Sequence, residues 1–262
     1  MSSSLRLFLA SLIFFFVFSP QSIASIVTIA QEPPIDESGI FGRLQFDWER
    51  KTGNATKLAY GGALNAGYSF GKSQILVLAK EEREHALGVL TDESALRHLR
   101  YRYLFDELLA FETFAQQAED PFARLQSRRL LGAGLRFHFK LLEDTLDSFL
   151  GLGAMAEDEE IDPLMGEGED LVTENYANRL ASYLVFTYAP TEKLRLEQTI
   201  YFQPSFSDGN DFRLLSQSAL LINIVSKLSL RMAYEVNRDT RPPVGVLETD
   251  TVFKNGLVWE LH

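Results

Sequence analysis

The chain has 262 residues, with 25 lysines and arginines against 36 aspartates and glutamates, which gives a formal net charge of −11. This balance excludes general nucleic-acid binding, which needs a basic surface. The absence of cysteine excludes disulfides, thiolate metal sites and a cysteine nucleophile.

The N-terminus has the features of a cleaved secretory signal peptide, residues 1–24. Arg6 precedes an apolar run over residues 7–18, and small residues lead up to Ala24, as a signal peptidase prefers. The run is short for a membrane helix, although an uncleaved anchor is the alternative. Cleavage after Ala30 is a second option. We expect residues 25–38 to form a short periplasmic segment.

Beyond this segment, apolar and polar residues alternate, which is typical of β-strands with one face in an apolar environment. In the first such stretch, Leu44 and Phe46 flank Gln45, and the period of two recurs almost to the end of the chain. Residues 74–86 and 107–118 follow it less cleanly but still favour strands. About twelve such segments are present, close to the ~10-residue alternating segments of membrane barrels.

The connections between the segments form two classes. Every even-numbered junction is short: FGKSQ, FDEL, LLEDT, APTEK and VSKLS. The odd-numbered ones are mostly long and polar, namely LGVLTDES, QQAEDPFARLQ, EDEEIDPLMGEGED, SFSDGND and TRPPVGVLETD, with the short KTGNAT as the exception. We therefore predict an all-β fold over residues 39–262. It is a transmembrane antiparallel up-and-down barrel of about 12 strands with short periplasmic turns and longer extracellular loops.

Aromatic residues recur at the end of the strands that run toward the short turns. A belt of aromatic rings at one level is expected at a membrane interface. A soluble β-sandwich would bury the same apolar face, but that fold does not explain why the aromatic residues lie at the same end of these strands. The predicted aromatic girdle comprises Tyr68, Phe70, Tyr103, Phe105, Phe137, Phe139, Phe186, Tyr188 and Trp259.

The opposite face of the predicted strands carries charges of both signs and would line the lumen. Its members are Arg43, Asp47, Glu49, Lys80, Glu82, His98, Arg100, Arg102, Glu112, Arg128, Arg136, His138, Arg179, Arg195, Glu197, Arg213, Arg231, Glu235, Lys254 and Glu260. Two interpretations remain open. The charges either line a narrow passage with a preference for anions, or they satisfy one another in a filled lumen.

Neighbouring strands suggest specific ion pairs within this set. Arg100 and Arg102 are expected to meet Glu112. Arg231 and Glu235 on one strand are expected to meet Lys254 and Glu260 on the next. If the last strand closes onto the first, Glu260 comes within reach of Arg43.

Three stretches resemble a known family. They are Thr52-Gly53-Asn54, the segment LRYRYLF that ends at Phe105, and FARLQSRRLLGAGLRF at 122–137. The sequence resembles a domain-of-unknown-function family typified by a salt-induced outer-membrane protein. The resemblance implies a β-barrel in a Gram-negative outer membrane and implies no activity. Such barrels usually end in an aromatic residue, whereas this chain ends in His262.

Catalytic and metal sites have weak support in the sequence. His85 lies near the predicted loops and is the best candidate for an outer-membrane hydrolase, although nothing places carboxylates beside it. The acidic segment 156–174 has oxygen ligands suited to Ca²⁺ or Mg²⁺, but a solvated loop is the simpler interpretation. We predict no catalytic residue, no metal site and no cofactor.

The predicted location defines the predicted partners. An integral barrel contacts outer-membrane lipid and lipopolysaccharide, and during biogenesis it meets periplasmic chaperones and the barrel-assembly machinery. No nucleic-acid partner is expected. The sequence leaves the oligomeric state open.

Overall fold

The computed structural model describes residues 38–51, 57–141, 145–162 and 172–261, without the side chains of 49–51 and 141. The predicted signal peptide and nearly all of the segment that follows it lie outside the described residues, as do Thr52-Gly53-Asn54 and His262. Among the described residues, no helix is long and apolar enough to cross a membrane.

Twelve antiparallel strands form one closed barrel, which confirms the predicted fold. Each strand pairs with its neighbours in sequence, and β12 closes against β1, with Phe46 opposite Leu257. The strands are β1 (Gly39–Lys51), β2 (Lys57–Phe70), β3 (Ser73–Ala86), β4 (Val89–Leu104), β5 (Leu109–Asp120), β6 (Leu125–Leu141), β7 (Leu146–Ile161), β8 (Thr173–Thr191), β9 (Leu194–Pro204), β10 (Phe212–Val225), β11 (Leu228–Asp239) and β12 (Thr249–Leu261).

The two-residue period of the sequence determines which side chains face inward. In β11, Ser229, Arg231 and Glu235 are buried, whereas Leu230 is half-buried and Tyr234 is exposed. Successive side chains of a strand point to opposite faces. The polar set therefore lies inside the barrel, and the apolar set forms its outer surface.

The two rims of the barrel differ in the length of their connections. At the tight rim, the turns β2–β3, β8–β9 and β10–β11 contain only residues 71–72, 192–193 and 226–227. At the loop rim, the longer described loops include residues 205–211 and 240–248.

Two predicted long loops are largely strand. In LGVLTDES, only Leu87 and Gly88 lie between β3 and β4. Both have positive φ, 52° and 83°, as the type I′ hairpin turn requires. In QQAEDPFARLQ, strand β5 continues to Asp120, and a single 3₁₀ turn at Pro121–Ala123 leads into β6. The prediction was wrong here because polar residues continue the alternation beyond the apolar band.

Large side chains extend into the interior of the barrel. A lumen of about eight strands is the size that side chains just fill, so a lumen of twelve strands is filled only where side chains reach across it. One apolar cluster joins β4, β5, β8, β9 and β10 inside the barrel and consists of Leu96, Ala118, Tyr183, Val185, Tyr201 and Leu215. A second consists of Ala219, Leu221, Ala233 and Val258.

Glycines in the wall make room for these rings. A Cβ at Gly151 would lie 2.1 Å from Cε1 of Tyr183, and one at Gly132 would lie 2.5 Å from Cζ of Phe114. The two rings therefore lie directly against the backbone of β6 and β7.

We expect Gly151→Val to destabilise the barrel by about 1–3 kcal/mol, because the new side chain must displace the Tyr183 ring from a packed interior. The matched control is Gly62→Val, where the nearest atom to an added Cβ is 3.9 Å away. Urea unfolding of the refolded proteins measures both. Equal stability of the two variants would contradict the packed interior.

Candidate functional site: the charged lumen

The interior charges predicted from the sequence lie on the inner face of the barrel. Arg102 is completely buried, and Arg128 is 1% exposed. The more accessible members of the set include His138, Lys80, Arg195 and Glu260. The side chain of Glu49 lies outside the described residues. The effect of these residues on solutes stays a prediction.

Glu112 is the centre of one network in the part of the lumen nearer the tight rim. Its carboxylate accepts hydrogen bonds from Arg100 at 3.0 Å and from Arg102 at 3.1 Å, which are the pairs expected from the sequence. Arg102 also donates to Gln74 at 3.2 Å. Arg100 lies 5.6 Å from the ring centre of Tyr183 on β8, so this network extends across the lumen from β4.

Glu157 is the centre of a second network near the loop rim. Arg128 Nη2 lies 2.5 Å from its Oε2, Arg179 Nε lies 2.8 Å from its Oε1, and Arg213 also donates to it. Arg213 makes further pairs with Glu159 at 2.7 Å and with Asp239 of β11 at 2.9 Å. Three guanidinium groups therefore converge on one buried carboxylate.

Glu157 and Glu159 were missed as lumen residues because they were assigned to the acidic loop 156–174. Strand β7 continues to Ile161 and carries both carboxylates on its inner face. Glu157 and Glu159 alternate with Asp158 and Glu160, and this pattern could have indicated that the strand continues to Ile161. Residues 163–171 of the acidic segment lie outside the described part of the chain.

Several ion pairs join strands that are not neighbours. Arg43 on β1 pairs with Glu197 on β9 at 3.2 Å, although Arg43 lies opposite Glu260 in the β1–β12 register. Glu260 instead accepts from Arg195 on β9. The expected Arg43–Glu260 pair is therefore replaced by two pairs that cross the lumen.

The β11–β12 wall shows the same pattern. Lys254 lies 3.9 Å from Glu235, as expected, but its closer partner is Glu82 on β3, at 2.5 Å. Arg231 lies 3.6 Å from Asp47 on β1. These ion pairs therefore connect strands that are not hydrogen-bonded to each other.

The three described histidines lie apart from one another and contact different groups. His98 contacts Arg100 and Gln116, and His138 pairs with Asp147 at 2.6 Å. The ring of His85 stacks on Tyr60. Within the described ranges, no cluster of three or more His, Asp or Glu side chains is arranged to hold a metal.

The predicted girdle lies on the outer face. Trp259 is 52% exposed, and Tyr68, Phe70, Tyr103 and Phe105 are also exposed. Phe137 is exposed as well, while Phe139, Phe186 and Tyr188 are partly covered by their neighbours on the same face. These rings follow the tight rim, as an interfacial belt requires.

A loop crosses the opening at the loop rim. Residues 240–248 connect β11 to β12, yet Arg124, between β5 and β6, donates a 2.7 Å hydrogen bond to the backbone oxygen of Val244. Arg241 pairs with Asp208 of the β9–β10 loop. Since β5 and β11 lie on opposite sides of the barrel, this loop spans the mouth.

Neutralising the central carboxylate, Glu157→Gln, should lower the free energy of unfolding by about 3–5 kcal/mol, because buried arginines lose their shared partner. The control Glu160→Gln removes a surface pair to Arg129 on the outer face and should cost less than about 1 kcal/mol. Urea titration of the refolded proteins compares them. A small effect of Glu157→Gln would mean that water already solvates the three arginines.

Solved structures that are similar to this chain include two porins and the translocator domain of an autotransporter. The NanC porin superimposes with a TM-score of 0.51 at 11% sequence identity, over 85% of this chain and 100% of the porin. The autotransporter NalP translocator domain from Neisseria meningitidis gives a TM-score of 0.47 at 10% identity, over 86% and 89% of the two chains. The KdgM porin in complex with disordered oligogalacturonate gives 0.44 at 11%, over 84% and 99%. These similarities concern the fold.

Sequence comparison identifies the family. No curated protein matches the chain. The family described as "Protein of unknown function, DUF481" matches residues 46–260, most of the chain, in agreement with the resemblance noted above. The chain therefore belongs to this family of proteins of unknown function, DUF481.

Proposed function

We propose that this protein is an integral outer-membrane barrel closed by its own interior, which acts as a non-conducting component of the envelope. The observation that carries the proposal is the set of ion pairs between strands on different sides of the lumen, such as Arg43–Glu197 and Lys254–Glu82. Side chains that meet across the lumen narrow it, which supports closure to solutes.

The burial of the interior supports a closed lumen. The lining of a water-filled channel is in contact with solvent, but Leu215 is 1% exposed and Arg231 is 3% exposed. Two of the cavities inside the barrel have volumes of about 20 and 60 Å³. Volumes of this size hold one or a few water molecules.

The network also suits a barrel exposed to changing salt. Surface ion pairs are screened by salt, whereas buried pairs are screened much less. Glu157 and Glu112 pair with arginines in a nearly dry interior. A barrel held by such pairs would keep its shape under osmotic or ionic stress, which is the role we propose for it.

The location rests on the outer face. The apolar outer surface, the aromatic belt near the tight rim and the even number of strands support insertion into a Gram-negative outer membrane. Secretion through the predicted signal peptide, contacts with lipopolysaccharide and assembly by chaperones and the barrel-assembly machinery form part of this proposal. Hydrolase activity through His85 has no supporting contact in the described residues.

Planar bilayers containing the refolded mature chain should show no current steps, because packed side chains close the lumen. Insertion is verified by resistance of the folded band to unfolding in SDS without heat. Discrete steps from inserted protein would contradict the proposal and support the narrow-pore hypothesis, and the reversal potential in a salt gradient would then give the ion preference.

A second measurement tests whether the barrel is closed by the mouth loop, residues 240–248, or by the side chains in its interior. The double variant Arg124→Ala, Arg241→Ala removes the hydrogen bond from Arg124 to Val244 of the mouth loop and the ion pair of Arg241, in the same loop, with Asp208. We expect this variant to remain silent, because the ion pairs and apolar clusters below the loop are unchanged. Current steps in the variant alone would assign closure to the loop and contradict closure by the interior.

A further inference from the structure

Polar side chains interrupt the apolar outer face of the barrel on the wall formed by β9–β12. They point outward because they alternate with the inward residues of their strands. The two serines of this group follow one another on the outer face of β10, between Leu214 toward the loop rim and Leu220 toward the tight rim. The group consists of Gln198, Ser216, Ser218 and Asn255.

Three of these side chains bind one another. Ser218 Oγ donates to Oε1 of Gln198, and Nε2 of Gln198 donates to Ser216 Oγ at 3.1 Å. Among the described residues, the hydroxyl hydrogen of Ser216 has no acceptor, and Ser218 Oγ keeps its accepting lone pairs. The serine pair therefore retains one donor and one acceptor for a further partner.

Asn255 is the polar residue of this wall that has no such local partner. It lies between Phe253 and Leu257 on the outer face of β12 and is half-buried. Its amide makes no hydrogen bond with any described residue. In the hydrocarbon region no water replaces the missing bonds, and an unsatisfied polar group there is costly. Acyl chains have no hydrogen-bonding group, so the amide requires a protein group at its own depth.

The strand register places Ser218 at the depth of Asn255. The row of paired residues through Asn255 begins at Trp48, near the loop-rim end of β1, and descends to Tyr188, near the tight-rim end of β8. At the usual strand tilt, two strands along such a row change the depth by about 6 Å, or roughly two to three residues. The row crosses β10 at Leu220, so the level of Asn255 on β10 is at Ser218.

A second copy of the chain meets the requirement for a partner at this depth. Both copies insert in the same direction, so a twofold axis along the membrane normal keeps every residue at its own level. Strand β11 lies between β10 and β12. An axis at β11 therefore places Asn255 of one copy opposite Ser218 of the other, and the reverse. The amide both donates and accepts, which matches the unused donor and acceptor of the serine pair.

We propose that the outer face of β10–β12 is the interface of a parallel homodimer within the membrane. Asn255 of each copy binds Ser216 and Ser218 of the other, as polar side chains do between associating transmembrane segments. The inference rests on the proposed membrane location and not on closure of the lumen. Insertion is checked separately by resistance of the folded band to unfolding in SDS without heat, so the failure of each proposal is distinguishable.

Sedimentation equilibrium of the refolded mature barrel in density-matched detergent tests the dimer. We expect the wild type to be dimeric. Asn255→Leu keeps the size of the side chain but loses the amide, so the dimer dissociation constant should rise by about tenfold or more. Ser218→Ala should raise it in the same direction.

The matched control is Thr113→Val, which removes a polar group from the outer face of β5 on the opposite side of the barrel. The Thr113 hydroxyl already donates to the backbone oxygen of Gly132 at 2.9 Å, so dimerisation should be unchanged. A monomeric wild type that is folded and inserted would overturn the proposal. So would a dimer that Asn255→Leu leaves as strong as before.

Disulfide crosslinking in lipid vesicles tests the position of the interface. The chain has no cysteine, so Met232→Cys places a single thiol on the outer face of β11, and Ala115→Cys places one on the outer face of β5. Under oxidation we expect a crosslinked dimer from Met232→Cys alone. Equal crosslinking of the two variants, crosslinking of Ala115→Cys alone, or none in either would contradict an interface at β11.

Discussion

The structure depends on the requirement that every charge taken into the barrel must find an opposite charge there. Moving a guanidinium out of water is expensive, and a single poorly placed partner does not offset the cost. Neighbouring strands supply some of these partners, such as Glu112 for Arg100. They do not supply all of them: Arg43 and Glu260 lie opposite each other on neighbouring strands, yet each pairs with a residue of β9. Long side chains therefore extend across the lumen and pair with strands on its other side.

The outer face follows from the same alternation. Each strand that presents a charge inward presents an apolar side chain outward, so the ion-pair network and the lipid-facing surface are two results of one period. Close to the loop rim, however, Arg129 on the outer face pairs with Asp158 and Glu160. The apolar band ends below these residues, and several strands continue beyond it as a polar wall.

The sequence was sufficient to predict the strands, the barrel and the inward direction of most of its charged interior side chains, because each depends on a local period of two. It did not identify the apolar interior residues Tyr183, Tyr201 and Leu215. It also predicted the Arg100–Glu112 pair, which joins neighbouring strands. It did not predict the Arg43–Glu197 pair, since contact between β1 and β9 depends on the closed shape of the barrel. Glu157 was missed because an acidic run resembles a loop when the strand continues into it.

Solvent access to Leu215, inside the barrel, distinguishes a closed lumen from a water-filled one. The chain has no cysteine, so Leu215→Cys introduces a single thiol on the inner face of β10, and Ser207→Cys provides an exposed control in the β9–β10 loop. With a small charged thiol reagent, we expect rapid modification of the control and modification of Leu215→Cys only after unfolding. Comparable rates in the two folded proteins would show an open, water-filled lumen and contradict closure by the interior.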